Sequence, residues 1–138
     1  MTDGSYDPTT AQIITSINEF VVLLAGTDIT NPIENIIIAN VAIQHSAWNI
    51  GRTQQADSQA AAFLNSAPLY IANATSIVIS NVEISHTGSY GVWIKEGTTN
   101  VNIFKSLVTD AGAGGIRIGQ IICPVPSSTT FIRIMYNR

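Results

Sequence analysis

The stretch Ser76-Ile-Val-Ile-Ser-Asn-Val-Glu-Ile-Ser-His86 decides the fold, because the chain carries its pattern three times. The other copies are Asn35-Ile-Ile-Ile-Ala-Asn-Val-Ala-Ile-Gln-His45 and Asn100-Val-Asn-Ile-Phe-Lys-Ser-Leu-Val-Thr-Asp110. The second and third copies follow each other closely, whereas a longer interval separates the first from the second. Self-similarity of this kind indicates repeated units that bury their apolar sides against one another.

Each copy predicts short strands. Apolar residues alternate with period two, as in Ile77 and Ile79, and Ile and Val dominate. Shorter apolar runs at 92–94 and 116–118 predict a further strand in each unit, with glycines between strands. The sequence therefore predicts an all-β parallel β-helix, a solenoid of roughly four to five coils. A β-sandwich also fits the turn spacing, but the near-exact third copy disfavours it.

The organisation expected from the pattern is one domain over residues 1–138. Its repeat core spans 32–120, and a polar then Ala-rich insertion loop occupies 52–68. Residues 10–26 are interpreted as a further degenerate coil. The pattern breaks after Gln120, at Pro124 and Pro126, so we expect a helix that is incomplete at its C-terminal end and is a fragment of a longer one.

The amino-acid composition argues against several classes of function. The chain has 138 residues, with 46% hydrophobic and only 11% charged residues, and its formal net charge is −3. Six Lys and Arg residues give no basic stripe for nucleic acid or a membrane surface. No apolar run approaches the roughly 20 residues of a membrane span. The sequence shows neither a signal-peptide pattern nor metal-ligand spacings, and we expect no nucleic-acid partner, membrane contact, metal or cofactor.

Parallel strands stack about 4.8 Å apart, so equivalent positions form columns. His45, His86 and Asp110 share one column, which predicts an acid–base or sugar-hydroxyl site; alternatively, they fill a turn and bond the backbone. Asn40 and Asn81 share another column, either as ordinary turn formers or as an asparagine ladder.

A second candidate column holds Arg52, Trp93 and Arg117. The middle residue of each short run is expected to point outward, where Trp offers a flat face to a sugar and Arg binds a carboxylate. The alternative is a surface cation–π pair between Arg and Trp.

Further binding candidates surround these columns. Glu96 and Gln120 share a third column, in which Glu96 is either a second carboxylate of the site or a solvated loop residue. Trp48 and Tyr90 are expected to wall a groove or to fill the core.

The runs at 32–48, 84–91 and 109–119, above all Asp110-Ala-Gly-Ala-Gly-Gly-Ile116, resemble right-handed parallel β-helix proteins of the pectin-lyase-like superfamily. The nearest group is a glycoside-hydrolase family that includes α-L-fucosidases and xylanases. The resemblance covers roughly residues 18–120. Such proteins tend to carry an acidic residue where Gln120 stands, and they continue for several more coils.

The resemblance implies a right-handed helix with a carbohydrate groove, in which Asp110 is the candidate catalytic carboxylate and His86 and Tyr90 line the groove. It also implies an extracellular or periplasmic location and a polysaccharide or oligosaccharide partner. Two hypotheses follow. One is a glycoside hydrolase in which Asp110 acts with support from His45 and His86, and the other is a non-catalytic glycan-binding or structural β-helix.

Overall fold

The computed structural model describes residues 15–48, 66–119, 129–135 and 137. Regular structure in those residues is entirely β, and none of them forms a helix long and apolar enough to cross a membrane. The strands, in chain order, are β1 Val22–Ala25, β2 Ile33–Glu34, β3 Ile37–Ala39, β4 Ala42–Ser46, β5 Leu69–Ala72, β6 Ala74–Ser80, β7 Glu83–Thr87, β8 Tyr90–Ile94, β9 Thr99–Phe104, β10 Leu107–Ala111, β11 Gly114–Ile118 and β12 Thr130–Met135.

The strands form three sheets, and every pairing between them is parallel. Sheet I has the order β1-β5-β8-β11, and sheet II has the order β12-β9-β6-β2, with β3 also pairing with β6. Sheet III has the order β10-β7-β4. Among the described strands, those from β3 to β12 belong in chain order to sheets II, III and I in strict rotation. The predicted all-β class with parallel strands is confirmed, whereas a sandwich of antiparallel sheets would require the opposite pairing.

The strand register agrees with the sequence repeat. Ile43 pairs with Ile84 and Ile84 with Val108, which reproduces the alignment of the three copies. In sheet II, Ile77 pairs with Val101, and the following step, from Val101 to Ile132, spans a longer stretch of chain.

The regions on either side of the repeat core follow the expectation in part. Residues 22–25 pair with β5, so part of the interval 10–26 adds a strand as expected. Of the expected insertion, 52–65 lies outside the described residues, while 66–68 are buried.

One apolar core joins the three sheets. Ile71 and Ile94 of sheet I, Ile79 and Ile103 of sheet II and Ile84 of sheet III are each at most 1% exposed and belong to a single cluster. Fully burying such a side chain contributes about 1.5–3 kcal/mol. The alternation within each strand therefore fixes which residues face the shared interior and which face outward.

The corners between strands carry non-glycine residues with left-handed backbone. Positive φ recurs at equivalent places in successive repeats, in columns formed by Asn35, Ser76, Asn100 and Phe131, by Asn40, Asn81 and Lys105, and by His45, His86 and Asp110. Left-handed backbone costs an L-residue roughly 1–2 kcal/mol, and Asn, Asp and His adopt it more readily than most residues. These corners explain why polar residues interrupt the apolar pattern at fixed points.

The asparagine corner is also bonded between strands. The Asn81 side chain donates from Nδ2 to Oδ1 of Asn40 at 2.8 Å, so the expected asparagine ladder is confirmed for this pair. The backbone nitrogen of Asn81 donates to the carbonyl oxygen of Phe104, which joins the same corner to the end of β9. Lys105 occupies the following place in the column and has a φ of 53°.

The two contributions of Asn81 can be separated by substitution. Asn81→Ala removes the ladder hydrogen bond. It also puts alanine, whose side chain cannot hydrogen-bond to the nearby backbone, at a left-handed position with a φ of 52°. We expect it to lower the free energy of unfolding by about 1–3 kcal/mol. Asn81→Gly loses the same hydrogen bond but tolerates the backbone, so it is expected to destabilise less. Urea denaturation compares the two, and equal losses would contradict a backbone contribution.

Candidate functional site

The three candidate catalytic residues lie together at the ends of the sheet III strands. His45, His86 and Asp110 are the penultimate residues of β4, β7 and β10. The strand register on both sides keeps them at equivalent positions, and all three have φ between 49° and 58°. The left-handed turn interrupts the in–out alternation of the strand, which accounts for the exposure of these side chains at the corner.

Their geometry is that of a stacked column. The His45 and His86 rings are nearly parallel, with an interplanar angle of 11° and centroids 5.0 Å apart. His86 Nδ1 lies 2.6 Å from Asp110 Oδ2, the length of a short charge-assisted hydrogen bond. The His86 and Asp110 side chains are 53% and 70% exposed, so a ligand from solvent can reach both. We name these three residues the histidine column.

A second polar group lies on the same sheet and escaped the sequence analysis. Gln44 Nε2 donates to Glu83 Oε1 at 2.8 Å and to Ser85 Oγ at 3.0 Å. Ser85 Oγ in turn donates to Glu83 Oε1 at 3.0 Å. The sequence contained a signal for this polar group, because its residues alternate with the inward-facing Ile43 and Ile84 of the repeat. Sheet III thus carries a hydrogen-bonded carboxylate in addition to Asp110.

A shallow depression of about 370 Å³ lies at the other end of sheet III. It is lined by the Asn40–Asn81 pair, by Lys105 and by the first residues of the sheet III strands, including Glu83. Leu107 and Val41 expose 38% and 45% of their surface there. Apolar surface and amide groups are therefore available beside the Glu83 network.

Gly88 and Gly112 lie two residues after His86 and Asp110, at the corner beside the histidine column. A Cβ on Gly112 would lie against the carbonyl oxygen of Gly88, and a Cβ on Gly88 would lie 2.6 Å from the backbone nitrogen of Trp48. Both glycines are therefore required by close backbone approach. The predicted groove residue Trp48 lies at this corner and is partly buried.

Trp93 and Arg117 lie on a different sheet from the histidine column. Strand register aligns Trp93 with Tyr70 on one side and Arg117 on the other, in sheet I. Arg52, the third expected member, lies outside the described residues. The Arg117 guanidinium carbon is 4.3 Å from the centroid of the Trp93 ring, the cation–π arrangement that was the alternative interpretation.

The expected outward exposure of Trp93 requires correction. Its neighbours Val92 and Ile94 face the core as predicted, yet Trp93 is only 2% exposed, and Arg117, which was also expected to be open to a ligand, is only 8% exposed. The Tyr70 ring meets Trp93 edge to face with centroids 5.4 Å apart, and Trp93 Nε1 donates to the carbonyl oxygen of Gly119 at 2.8 Å. In this conformation the ring offers no open face on which a sugar could stack.

The remaining binding candidates join the same aromatic cluster. Arg117 also lies over the ring of Tyr90, 5.5 Å from its centroid. Glu96 Oε1 lies 3.1 Å from Lys95 Nζ, so the predicted carboxylate is ion-paired. Burial lowers the pKa of Lys95, but hydrogen bonds and charge interactions with Glu96 and Tyr70 outweigh it and raise that pKa overall. Gln120, the expected column partner of Glu96, lies outside the described residues.

The structure therefore separates the predicted site residues into two groups. His45, His86 and Asp110 meet on sheet III, while Trp93, Arg117, Tyr90 and Glu96 belong to the region of sheet I. No group of three or more His, Cys, Asp or Glu residues in the described ranges is arranged to hold a metal ion.

Comparison with known proteins gives no relative from which to transfer a role. No family profile, curated protein or solved structure matches this chain.

Gly112→Ala tests the tight corner, with Gly115→Ala as a matched control. A Cβ at Gly115 would meet its nearest atom, Val108 Cγ1, at an ordinary 3.8 Å, whereas a Cβ at Gly112 would collide with backbone. We expect Gly112→Ala to lower the free energy of unfolding by about 1–3 kcal/mol. Thermal and urea melts measure both variants. Equal stability of the two would refute the close approach.

Trp93→Phe tests whether Trp93 is structural. The change removes the hydrogen bond to Gly119 and part of the contact with Arg117. It is expected to cost about 1–3 kcal/mol of unfolding free energy. Acrylamide quenching of Trp93 fluorescence in a Trp48→Phe background should be weak. Strong quenching, at the level of a free indole, would show that the ring is open to solvent.

Proposed function

We propose that the strands form a right-handed parallel β-helix. The rotation of the chain through three parallel sheets, the recurrent register and the shared apolar core support this arrangement. Connections between parallel strands of one sheet are right-handed in about 98% of cases, which supports the hand. Each turn through the three sheets would then be one coil.

We further propose that the chain is a carbohydrate-active β-helix protein, of the glycoside-hydrolase type, with its site on the outer side of sheet III. The observation that carries this proposal is the exposed His86–Asp110 pair, with 2.6 Å between Nδ1 and Oδ2. An imidazole joined to a carboxylate is suited to proton transfer at a hydroxyl or glycosidic oxygen. The ligand is a polysaccharide or oligosaccharide, as the family resemblance implies.

The wider surface suits such a ligand. The Gln44 and Glu83 side chains offer amide and carboxylate atoms on the same sheet as the histidine column, and the buried Ser85 hydroxyl is hydrogen-bonded to both of them. The depression beside Glu83 adds amide groups and exposed aliphatic surface. Sugar rings have both apolar faces and hydroxyl groups, so a site of this mixed character is appropriate for a glycan segment.

Glycan binding without hydrolysis is the second candidate function. Glycoside hydrolysis ordinarily uses two carboxyl groups about 5–9.5 Å apart, one on each side of the scissile bond. Strands β4, β7 and β10 contain Glu83 and Asp110 as their acidic residues. Glu83 is held by Gln44 and Ser85. That engagement favours a binding role for Glu83 over a role as nucleophile or general base.

The test combines calorimetry with product analysis. The wild-type chain is titrated with xylan-derived and fucosylated oligosaccharides, and the mixtures are analysed for new reducing ends. Asp110→Asn and His86→Asn keep residues that tolerate left-handed backbone, so the corner is preserved. We expect each to reduce turnover at least about 100-fold, because general acid–base catalysis contributes on that order.

Arg133→Gln is the matched control, since Arg133 is an exposed side chain on sheet II and should leave binding and turnover unchanged. Binding without hydrolysis by the wild-type chain would support the second candidate. A wild-type chain that binds none of these oligosaccharides at millimolar concentration would refute the proposal.

A further inference from the structure

The short contact between His86 and Asp110 constrains where the imidazole proton lies. An ionised carboxylate can only accept hydrogen bonds, so a 2.6 Å bond to Asp110 Oδ2 requires a proton on His86 Nδ1. In a neutral ring the other nitrogen, Nε2, then carries the free lone pair. We propose that His86 Nε2 is the proton-transfer atom of this site and that Asp110 is its positioning residue. This assignment rests on the proposed function.

The surroundings of the ring support the assignment. One face of His86 lies against His45, with the ring centroids 5.0 Å apart and the planes within 11° of each other. Asp110 holds the Nδ1 edge. These two contacts limit rotation of the ring, while the 53% exposure of the side chain leaves room for a ligand to approach. A base that is oriented before substrate binds loses little entropy on reaction.

The proton balance of the step is simple. A water molecule at Nε2 gives one proton to the ring as its oxygen forms a bond to the anomeric carbon of the glycan, and the glycosidic C–O bond breaks with its electron pair going to the leaving oxygen. The ring becomes an imidazolium whose charge is stabilised by the Asp110 carboxylate. The same proton then passes from Nε2 to the leaving oxygen, which restores the neutral ring. Asp110 neither takes nor gives a proton in this step, so its role differs from that of the catalytic carboxylate that the family resemblance implies.

The tautomer can be measured directly by ¹⁵N–¹H correlation spectroscopy of the imidazole side chains at about pH 8, where an unperturbed histidine is neutral. We expect His86 Nδ1 to be protonated and Nε2 to be unprotonated in the wild-type chain. In Asp110→Asn the amide can donate to Nδ1, so the Nδ1–H signal should be lost and Nε2 should become protonated. Asp28→Asn is the control, because Asp28 bonds Thr30 and Asn31 rather than a histidine.

A chemical probe gives a second readout in the same samples. Diethyl pyrocarbonate acylates the free lone pair of imidazole, and mass spectrometry reports its rate at each histidine. His86 should react severalfold more slowly in Asp110→Asn than in the wild-type chain, while Asp28→Asn should match the wild type. The chain has two histidines, so His45 is an internal reference for reagent access. It stacks on His86, and the described residues give it no carboxylate within ion-pair distance.

An Nε2–H tautomer in the wild-type chain would overturn the assignment, as would an unchanged tautomer in Asp110→Asn. Because neither readout uses a glycan, this failure is distinguishable from failure of the proposed function. A chain with the expected tautomer that binds no oligosaccharide would overturn the carbohydrate assignment alone. A chain that cleaves glycan while His86 carries its proton on Nε2 would overturn the assignment of the proton-transfer atom alone.

Discussion

The stacking of parallel strands in register is the constraint on which the rest of this structure depends. Strands in a parallel ladder repeat at about 4.8 Å, so each side chain lies beside the residue at the same position of the next strand. Inside the sheets this rule builds the apolar columns, such as Ile43, Ile84 and Val108. At the corners it places one left-handed residue over another. Stability and the candidate site therefore come from the same repeated geometry.

The sequence was sufficient to predict the parts that depend on this repeat. The alignment of the three copies reappears in the strand pairs, and it predicts correctly that His86 lies next to Asp110. The Asn40–Asn81 contact follows from the same alignment. Where two strands belong to copies of the repeat, aligning their sequences predicts which residues are neighbours, because the strand register fixes the pairs.

The parts that were missed depend on what lies outside the repeat. Outward alternation was predicted correctly for Trp93, but exposure was not, because alternation does not say what covers an outward side chain. Tyr70 is aligned with Trp93 although it belongs to none of the three copies of the repeat. The pairing of Val101 with Ile132 was likewise not predicted, because these residues are further apart in the sequence than the equivalent residues of the second and third copies. Side-chain contacts between strands that do not belong to the repeat therefore do not follow from the alignment of its copies.

The left-handed corner also explains how a position that the fold requires can expose reactive side chains to solvent. Positive φ at His86 is not by itself a sign of function, since Asn40, Asn81 and Lys105 adopt it at another corner. What distinguishes the histidine column is the choice of His and Asp, two residues that tolerate this backbone and also transfer or accept protons. The spacing of the ladder then brings neighbouring rings to 5.0 Å and an imidazole nitrogen to 2.6 Å from a carboxylate oxygen. A turn that the fold requires thus orients a polar pair toward solvent without any additional structural element.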